Sequence, residues 1–317
     1  MSQIIVGAGL AGLIAACHFK SARIIDASSG PTDTHQALLR FRNTSVSEIT
    51  GIPFKQVTVT KAVSINGETK DSCTVREANQ YSIKVSGGVR RRSITNLQPD
   101  VRYIAPDDFY SQLIERHRSR IDFNTPFNRD MLDTMRGIDF ISTAPMSVNL
   151  AAAGIDHGGA FDFDKSAIGV FRIKLKIKSD IYQTVYFPDP HLRAFRASIT
   201  GDVLIVESIS AYMTHAEMMD ELDTVLDAFG LPVEQVALDQ STAQSTMQPY
   251  GKIVDMDKGL REAFMHELTT AHRVFSLGRF ATWRNILLDD VVNDIAAIDR
   301  LVKASEYSRK LILASQK

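Results

Sequence analysis

Apolar and polar positions recur along this chain with two different periods, and the points where the period changes mark out its elements. Residues 3–6 form an apolar run that passes directly through Gly7-Ala8-Gly9-Leu10-Ala11-Gly12 into helical spacing, and a second apolar run, 22–25, stops at Asp26. A strand, a glycine turn, a helix and a second strand are expected in that order. A polar turn follows over 27–34, then a short segment, 35–41. Alternation over 56–65 and again over 81–85 predicts two strands of a β-rich insertion, the second closed by a Gly87-Gly88 turn ahead of Val89-Arg90-Arg91-Arg92. Pro106-Asp107-Asp108 opens a helix that Asp can cap and in which Phe109, Leu113, Ile114 and His117 recur at helical spacing. Strands are expected over 121–126 and 138–143, the latter ending at Ala144-Pro145.

From residue 168 the pattern changes. Four short β-prone runs, 168–177, 183–187, 194–200 and 203–210, are separated by Asp, Pro and Gly, which predicts an antiparallel sheet. A helix over 214–229 places Met218, Leu222, Val225 and Leu226 on one face and is stopped by Gly230 and Pro232. A helix around 258–271, a strand at 273–277, a Gly278-Arg279 turn and a helix from about 288 to 304 close the chain in β-then-α order. The fold class expected is therefore α/β: a discontinuous Rossmann-like domain of residues 1–50, 95–165 and 250–317, and a second, antiparallel β-rich domain of residues 51–94 and 166–249.

The glycine turn carries chemistry. Gly7 permits a tight turn, Gly9 lets the backbone approach a pyrophosphate, and Gly12 lets the helix lie close to the strand, while the first amides of the helix face the phosphates. Asp26 falls near the roughly 20-residue offset at which a carboxylate accepts hydrogen bonds from an adenosine ribose. Gly7, Ala8, Gly9, Leu10, Ala11, Gly12, Asp26 and Ala27 are thus candidates for holding a dinucleotide, with Arg40 of segment 35–41 beside it. No basic residue precedes the apolar start and three glycines interrupt it, so it does not have the pattern of a secretory signal.

Composition narrows the classes. With 317 residues, 44% hydrophobic and 23% charged, the chain has the makeup of an ordinary soluble globular protein large enough for two lobes. A net charge of −1 gives no bulk basicity, so contact with nucleic acid would have to come from a local patch such as Arg90, Arg91 and Arg92. Cys17 and Cys73 are far apart, which points to a reducing, cytoplasmic setting, and no run of about 18 apolar residues suggests a membrane partner. No HExxH, HxxxH or Cys/His cluster points to a metal, no GKS/T follows the glycines, and no GxSxG occurs.

The glycine-rich start, the segment ISTAP and the closing SLGRFATWRNILLDDVVNDIAAI together resemble the FAD-dependent oxidoreductases with a glutathione-reductase-type Rossmann fold, the superfamily that includes UDP-galactopyranose mutase, protoporphyrinogen oxidase and the flavin amine oxidases. The likeness covers both ends and the middle hinge of the chain, not the substrate lobe. It implies FAD as cofactor and makes the Rossmann-like domain an FAD-binding one. It also implies Thr143, Ala144 and Pro145 on the adenosine side, the Phe127 backbone at the adenine, and Gly278, Arg279, Trp283, Leu288 and Asp289 along the flavin and its pyrophosphate. Arg279 can neutralise phosphate bidentately, or serve a structural salt bridge. Amides at the start of the last helix would face the flavin edge where charge collects on reduction. The chain departs from the family in lacking a second glycine pair after the acid-bearing strand, in carrying Asp26 where Glu is usual, and in placing Trp283 and Asn285 where the mutase has tyrosines.

The segment Tyr186-Phe187-Pro188-Asp189-Pro190-His191-Leu192-Arg193-Ala194-Phe195-Arg196 is expected to form the substrate face, because aromatic, basic and imidazole groups converge on one hairpin. Arg196 resembles an arginine the mutase group carries on a comparable strand. His191 is a general base or a turn residue. Lys252, after Tyr250-Gly251, matches a lysine that amine oxidases often hold near the flavin, or is a surface lysine. Arg90, Arg91 and Arg92 with Arg102 and Tyr103 would grip a phosphate-bearing or nucleic-acid substrate, or stand solvated. The expected function is an FAD-dependent, amine-oxidase-like oxidoreductase acting on a C–N or adjacent C–H bond of a small or polymer-linked amine. Arg196, Tyr186 and Lys252 are its catalytic candidates, and O2 is a candidate electron acceptor. A mutase-like enzyme without net redox change and a non-catalytic dinucleotide-binding protein are the alternatives.

Overall fold

The computed structural model describes residues 3–32, 39–90, 92–209, 215–237 and 243–315. Residues 35–38 of the segment expected beside the nucleotide, Arg91, Ser210, Thr214 and the side chain of Tyr250 lie outside the described residues.

Strand β1 (Gln3–Val6), helix α1 (Leu10–His18) and strand β2 (Arg23–Ile25) open the chain. It then crosses to a second sheet through β3 (Arg40–Phe41), the short helix α2 (Ser45–Thr50), β4 (Lys55–Ile65), β5 (Glu68–Lys70), helix α3 (Val75–Ser86) and β6 (Asp100–Ile104). Helix α4 (Phe109–His117), β7 (Ile121–Asp122), α5 (Arg129–Thr134), β8 (Asp139–Ser142) and α6 (Met146–Ala153) return it to the first sheet. The second sheet is completed by β9 (Lys165–Tyr186), β10 (Ala194–Ser208), helix α7 (His215–Asp227) and β11 (Ala243–Ile253). Helix α8 (Lys258–His272), β12 (Val274–Ser276), the single turn α9 (Gly278–Ala281) and α10 (Leu288–Ser315) end the described chain.

The first sheet is parallel throughout, in the order β12-β8-β1-β2-β7. Its strands are short and apolar because both faces are covered. Leu13 and Ile14 of α1, Leu113 of α4 and Val291 and Ile295 of α10 share one buried cluster, and Leu150 of α6 with Phe264 and Leu268 of α8 belong to another with Ile4 and Val6 of β1. This is the α/β architecture expected from the sequence. The second sheet runs β10-β9-β4-β6-β3, with β11 on β9 and β5 on β4. It is mixed rather than antiparallel, because β4 lies parallel to β9. It also recruits β3 and β6, whose segments were expected in the first lobe.

The four β-prone runs between 168 and 210 join into two long strands that double back. Arg196 and Glu207 of β10 are ion-paired although 11 residues apart, a span of roughly 36 Å in a straight strand. The bend falls at Gly201, whose φ of +60° is open to glycine, and the register with β9 shifts on either side of it. Within β9 the Ser179 hydroxyl donates to the Ile181 carbonyl at 2.7 Å, closing a matching turn. Leu222, Val225 and Leu226 of α7 pack on apolar residues from both halves.

Several sequence expectations are corrected. Residues 81–85 are helical, not a strand. Thr74 and Glu77 form a reciprocal capping box, Gly87 ends the helix at φ +68°, and Tyr81 and Val85 share its buried face while Ile83 is 53% exposed. The strand expected over 121–126 stops at Asp122, because Asn124 turns left-handed at φ +54°. Of the two aspartates Asp108 takes the cap position of α4, but its carboxylate accepts from Gln112 rather than from the helix backbone. Gly278 and Arg279 begin a helical turn, and the last helix runs on to Ser315. Among the described residues no helix is long and apolar enough to cross a membrane, and no group of three or more His, Cys, Asp or Glu is placed to hold a metal.

Candidate functional site

The glycine turn forms a cradle whose three glycines do different work. Gly7, at φ +100°, donates its amide to Ile25 at 2.8 Å, and a β-carbon there would lie 2.3 Å from the Thr143 hydroxyl. A β-carbon on Gly12 would lie 2.0 Å from the Gly7 carbonyl oxygen. At Gly9 a β-carbon would meet nothing within 4 Å. Gly9 is also the cap residue of α1, and no side chain caps the first turn of that helix, to which the amides of Leu10 and Ala11 belong. Asp26 braces the cradle: one carboxylate oxygen accepts from the Ala8 amide at 2.6 Å, the other from the Ser28 amide and hydroxyl at 2.8 and 2.5 Å. Ala27 beside it is exposed.

The neighbouring candidates line up behind this turn. Thr143 donates from its hydroxyl to the Val6 carbonyl at 2.8 Å and locks the ends of β1 and β8 together. The Ala144 carbonyl accepts from the Asn149 amide, and Pro145 starts α6. Phe127 is buried against Phe140, with ring centres 5.3 Å apart. Gly278, at φ +83°, lies so close to α1 that a β-carbon would be 3.1 Å from that of Ala11, which sets Arg279 beside the cradle. Trp283 is 1% exposed; its indole donates to the Val254 carbonyl and its ring packs on Phe163, so its place is in the core. Leu288 is partly buried at the start of α10, and the next residue, Asp289, accepts from the Arg42 amide and guanidinium, tying β3 to the helix start.

The second sheet presents the other half of the site. Arg196 is held bidentately by the buried Glu207. Opposite Arg196 in the ladder stands the buried Tyr186, whose ring meets Tyr81 of α3 edge to face at 5.5 Å. Arg40 reaches this sheet too, donating to the Thr184 and Ser198 hydroxyls at 2.8 and 3.1 Å. Lys252 places its ammonium 4.6 Å from the centre of the Phe195 ring, a cation–π contact. Arg279 donates to the Asn285 side chain at 3.2 Å and the Gly251 carbonyl at 3.4 Å. Arg196, Tyr186, Lys252, Arg40 and Arg279, picked from the sequence for different roles, therefore gather in one neighbourhood.

Charge in that neighbourhood is unbalanced. Burial, then the nearby Arg196, pushes Lys252 down to about 7, and the same two causes bring Arg40 to about 10. Burial and then Arg92 lower Arg279. Burial alone would raise the Glu207 carboxyl, yet the Arg196 guanidinium holds it below the usual range.

His191 lies elsewhere, exposed in the turn between β9 and β10, on a surface groove of about 370 Å³ shared with Thr74, Glu77 and Asp189. The basic triplet is divided: Arg90 pairs with Asp255 at the surface, whereas Arg92 turns toward Lys252 and Arg279. Arg102 pairs with Asp100, and Tyr103 packs on the first core. Sequence reasoning missed Glu207, Tyr81, Thr184 and Ser198. Thr184, Ser198 and Glu207 are marked in the sequence by no more than being polar within otherwise apolar β runs, and Tyr81 lies on α3, where a strand was expected.

Compared by shape, the chain matches the PF1083 protein of Pyrococcus furiosus with a TM-score of 0.55 and 10% identity, over 94% of this chain and 96% of that one. It also matches an oxidoreductase from Methanosarcina mazei with a TM-score of 0.55 and 9% identity, over 95% of this chain and 100% of that one. It shares their fold. Compared by sequence, it matches no protein-family model and no curated protein. The shared fold spans nearly all of each chain, so both sheets, and not the glycine turn alone, belong to the likeness.

Proposed function

We propose that the protein is an FAD-dependent oxidoreductase of the amine-oxidase kind. The observation that carries this reading is the open cradle at Gly9 facing uncapped helix amides, with the polar cluster of the second sheet reached through Arg279. FAD suits these residues. The amides of α1 would take its pyrophosphate, Asp26, already oriented by Ala8 and Ser28, keeps lone pairs for the ribose, and Arg279 supplies a compensating charge. Bound FAD supplies the two-electron acceptor for oxidising a C–N or adjacent C–H bond.

The remaining work belongs to the chain. Arg196, fixed by Glu207, and Tyr186 form a rigid wall of the substrate face, and Lys252 can hold or release a proton at Nζ near neutral pH. Residues 1–50, 95–165 and 250–317 would carry the cofactor and residues 51–94 and 166–249 the substrate, with β3 and β6 reaching across. Both thiols are free, which suits a reducing compartment such as the cytoplasm.

The test is direct. Purified protein incubated with FAD and desalted should keep the visible flavin absorbance; presented with amines it should bleach when oxygen is excluded, and regain its colour with release of peroxide when air is admitted. Protein that stays colourless would remove the reading; colour that only dithionite bleaches, with no peroxide, would remove the amine-oxidase part.

A further inference from the structure

Arg40, Arg92, Arg196, Lys252 and Arg279 are all half-buried, and each feels at least one of the others electrostatically. Against them, among the described residues, stands one buried carboxylate, Glu207, and it is spent on Arg196 in a bidentate pair. Asp255, at the rim, is engaged by Arg90 and Asn285. Arg40 Nη1, Arg92 Nε and Arg279 Nε are buried without a hydrogen-bond partner among the described residues. Unpaired donors and like charges at close quarters are costly inside a protein. A fold that keeps them together is completed by a ligand of opposite charge, and planar guanidinium groups match an oxyanion best.

We propose that this cluster is a subsite for an oxyanion, a carboxylate or a phosphate, carried by the substrate. The proposal rests on the reading of the site as an oxidase and narrows it. An ammonium or a polyamine would be repelled by these cations, so the substrate class is an amine that bears a negative group, with the acidic end gripped by Arg40 and Arg92 while Arg279 serves the cofactor. Arg196 is a positioning residue, already satisfied by Glu207.

Binding should also move a proton. Lys252 faces Arg196 and Glu207 of β10, Arg92 after α3 and Arg279 of α9; burial first, then Arg196, brings it down to about 7 against the pull of Glu207. An anion reverses that balance, so its binding should be accompanied by proton uptake.

The experiment is calorimetric titration of the full chain, with and without saturating FAD, against acetate, inorganic phosphate and putrescine at constant ionic strength, in two buffers of different ionisation enthalpy at pH 8. Acetate or phosphate should bind saturably in both forms with uptake of a proton, and putrescine should not bind. The tighter of the two anions identifies the substrate group as carboxylate or phosphate. Arg92→Gln and Arg40→Gln, each checked for folding by circular dichroism, should weaken the anion about tenfold or more, the worth of one charged hydrogen bond. No saturable anion binding, or binding unchanged in both variants, would overturn the proposal. So would anion binding that disappears when FAD is added, which would give the cluster to the cofactor's own pyrophosphate. Anion binding in a protein that never takes up FAD would sustain the subsite while removing the flavin reading.

Discussion

Gly9 and Gly12 stand three residues apart and should fail in opposite ways. Gly9 has extended backbone, φ −73° and ψ 173°, and open space where a side chain would go. Gly9→Val should leave the melting temperature nearly unchanged and abolish retention of flavin colour. At Gly12 a methyl group collides with the Gly7 carbonyl, so Gly12→Ala should lower stability by about 1–3 kcal/mol, read by chemical denaturation, whether or not FAD is present. Lys252 offers a test through pH. Burial and Arg196 hold it at about 7, below the 10.5 of a free lysine, so across that interval the unfolded chain binds a proton that the folded chain does not. Stability therefore rises with pH through this window, and below about pH 7 the full penalty of the buried charge is present. Lys252→Met should flatten the rise of the melting temperature between about pH 7 and 9. Burial also lowers Lys84, to about 8, so a smaller climb should survive above that pH.

Among the elements, α3 links stability to the site, since it carries Tyr81 onto Tyr186. Thr74→Ala removes one half of its capping box and should cost about 1 kcal/mol. The expected signature is a raised KM with flavin absorbance intact, because the loosened ring faces the substrate side and not the cradle. This helix also shows where the sequence stopped being legible. Tyr81, Ile83 and Val85 alternate as a strand would, and only burial distinguishes the buried pair from exposed Ile83; Thr74 and Glu77 three residues apart were the local signal for a helix. The glycine turn, α1, β2 and Asp26 were legible because each step is written within a few neighbouring residues. β3 and β6 were not, since pairing Arg40 with Ile104 is a tertiary choice without a local mark. The same holds for the site. Arg196, Tyr186 and Lys252 could be picked by chemical type, but no spacing announces that Glu207 folds back onto Arg196, or that Arg92 turns inward while Arg90 does not.

At the scale of the whole molecule, the cradle is already set by the Asp26 bonds to Ala8 and Ser28, so the nucleotide should bind a prepared surface. Free FAD at about 100 times its Kd should stabilise the fold by about 2.7 kcal/mol, and a thermal melt should show it as an upward shift of several degrees. FMN, which lacks the adenosine half, should give little or none. The doubling back of β9 and β10 has a wider consequence. Thr184, Tyr186, Arg196, Ser198 and Glu207 come from one uninterrupted length of chain that begins and ends beside itself. The part of any molecular preference that these five residues carry would thereby sit on a single cassette, which can drift, or be transplanted between proteins of this shape, while the glycine cradle stays untouched.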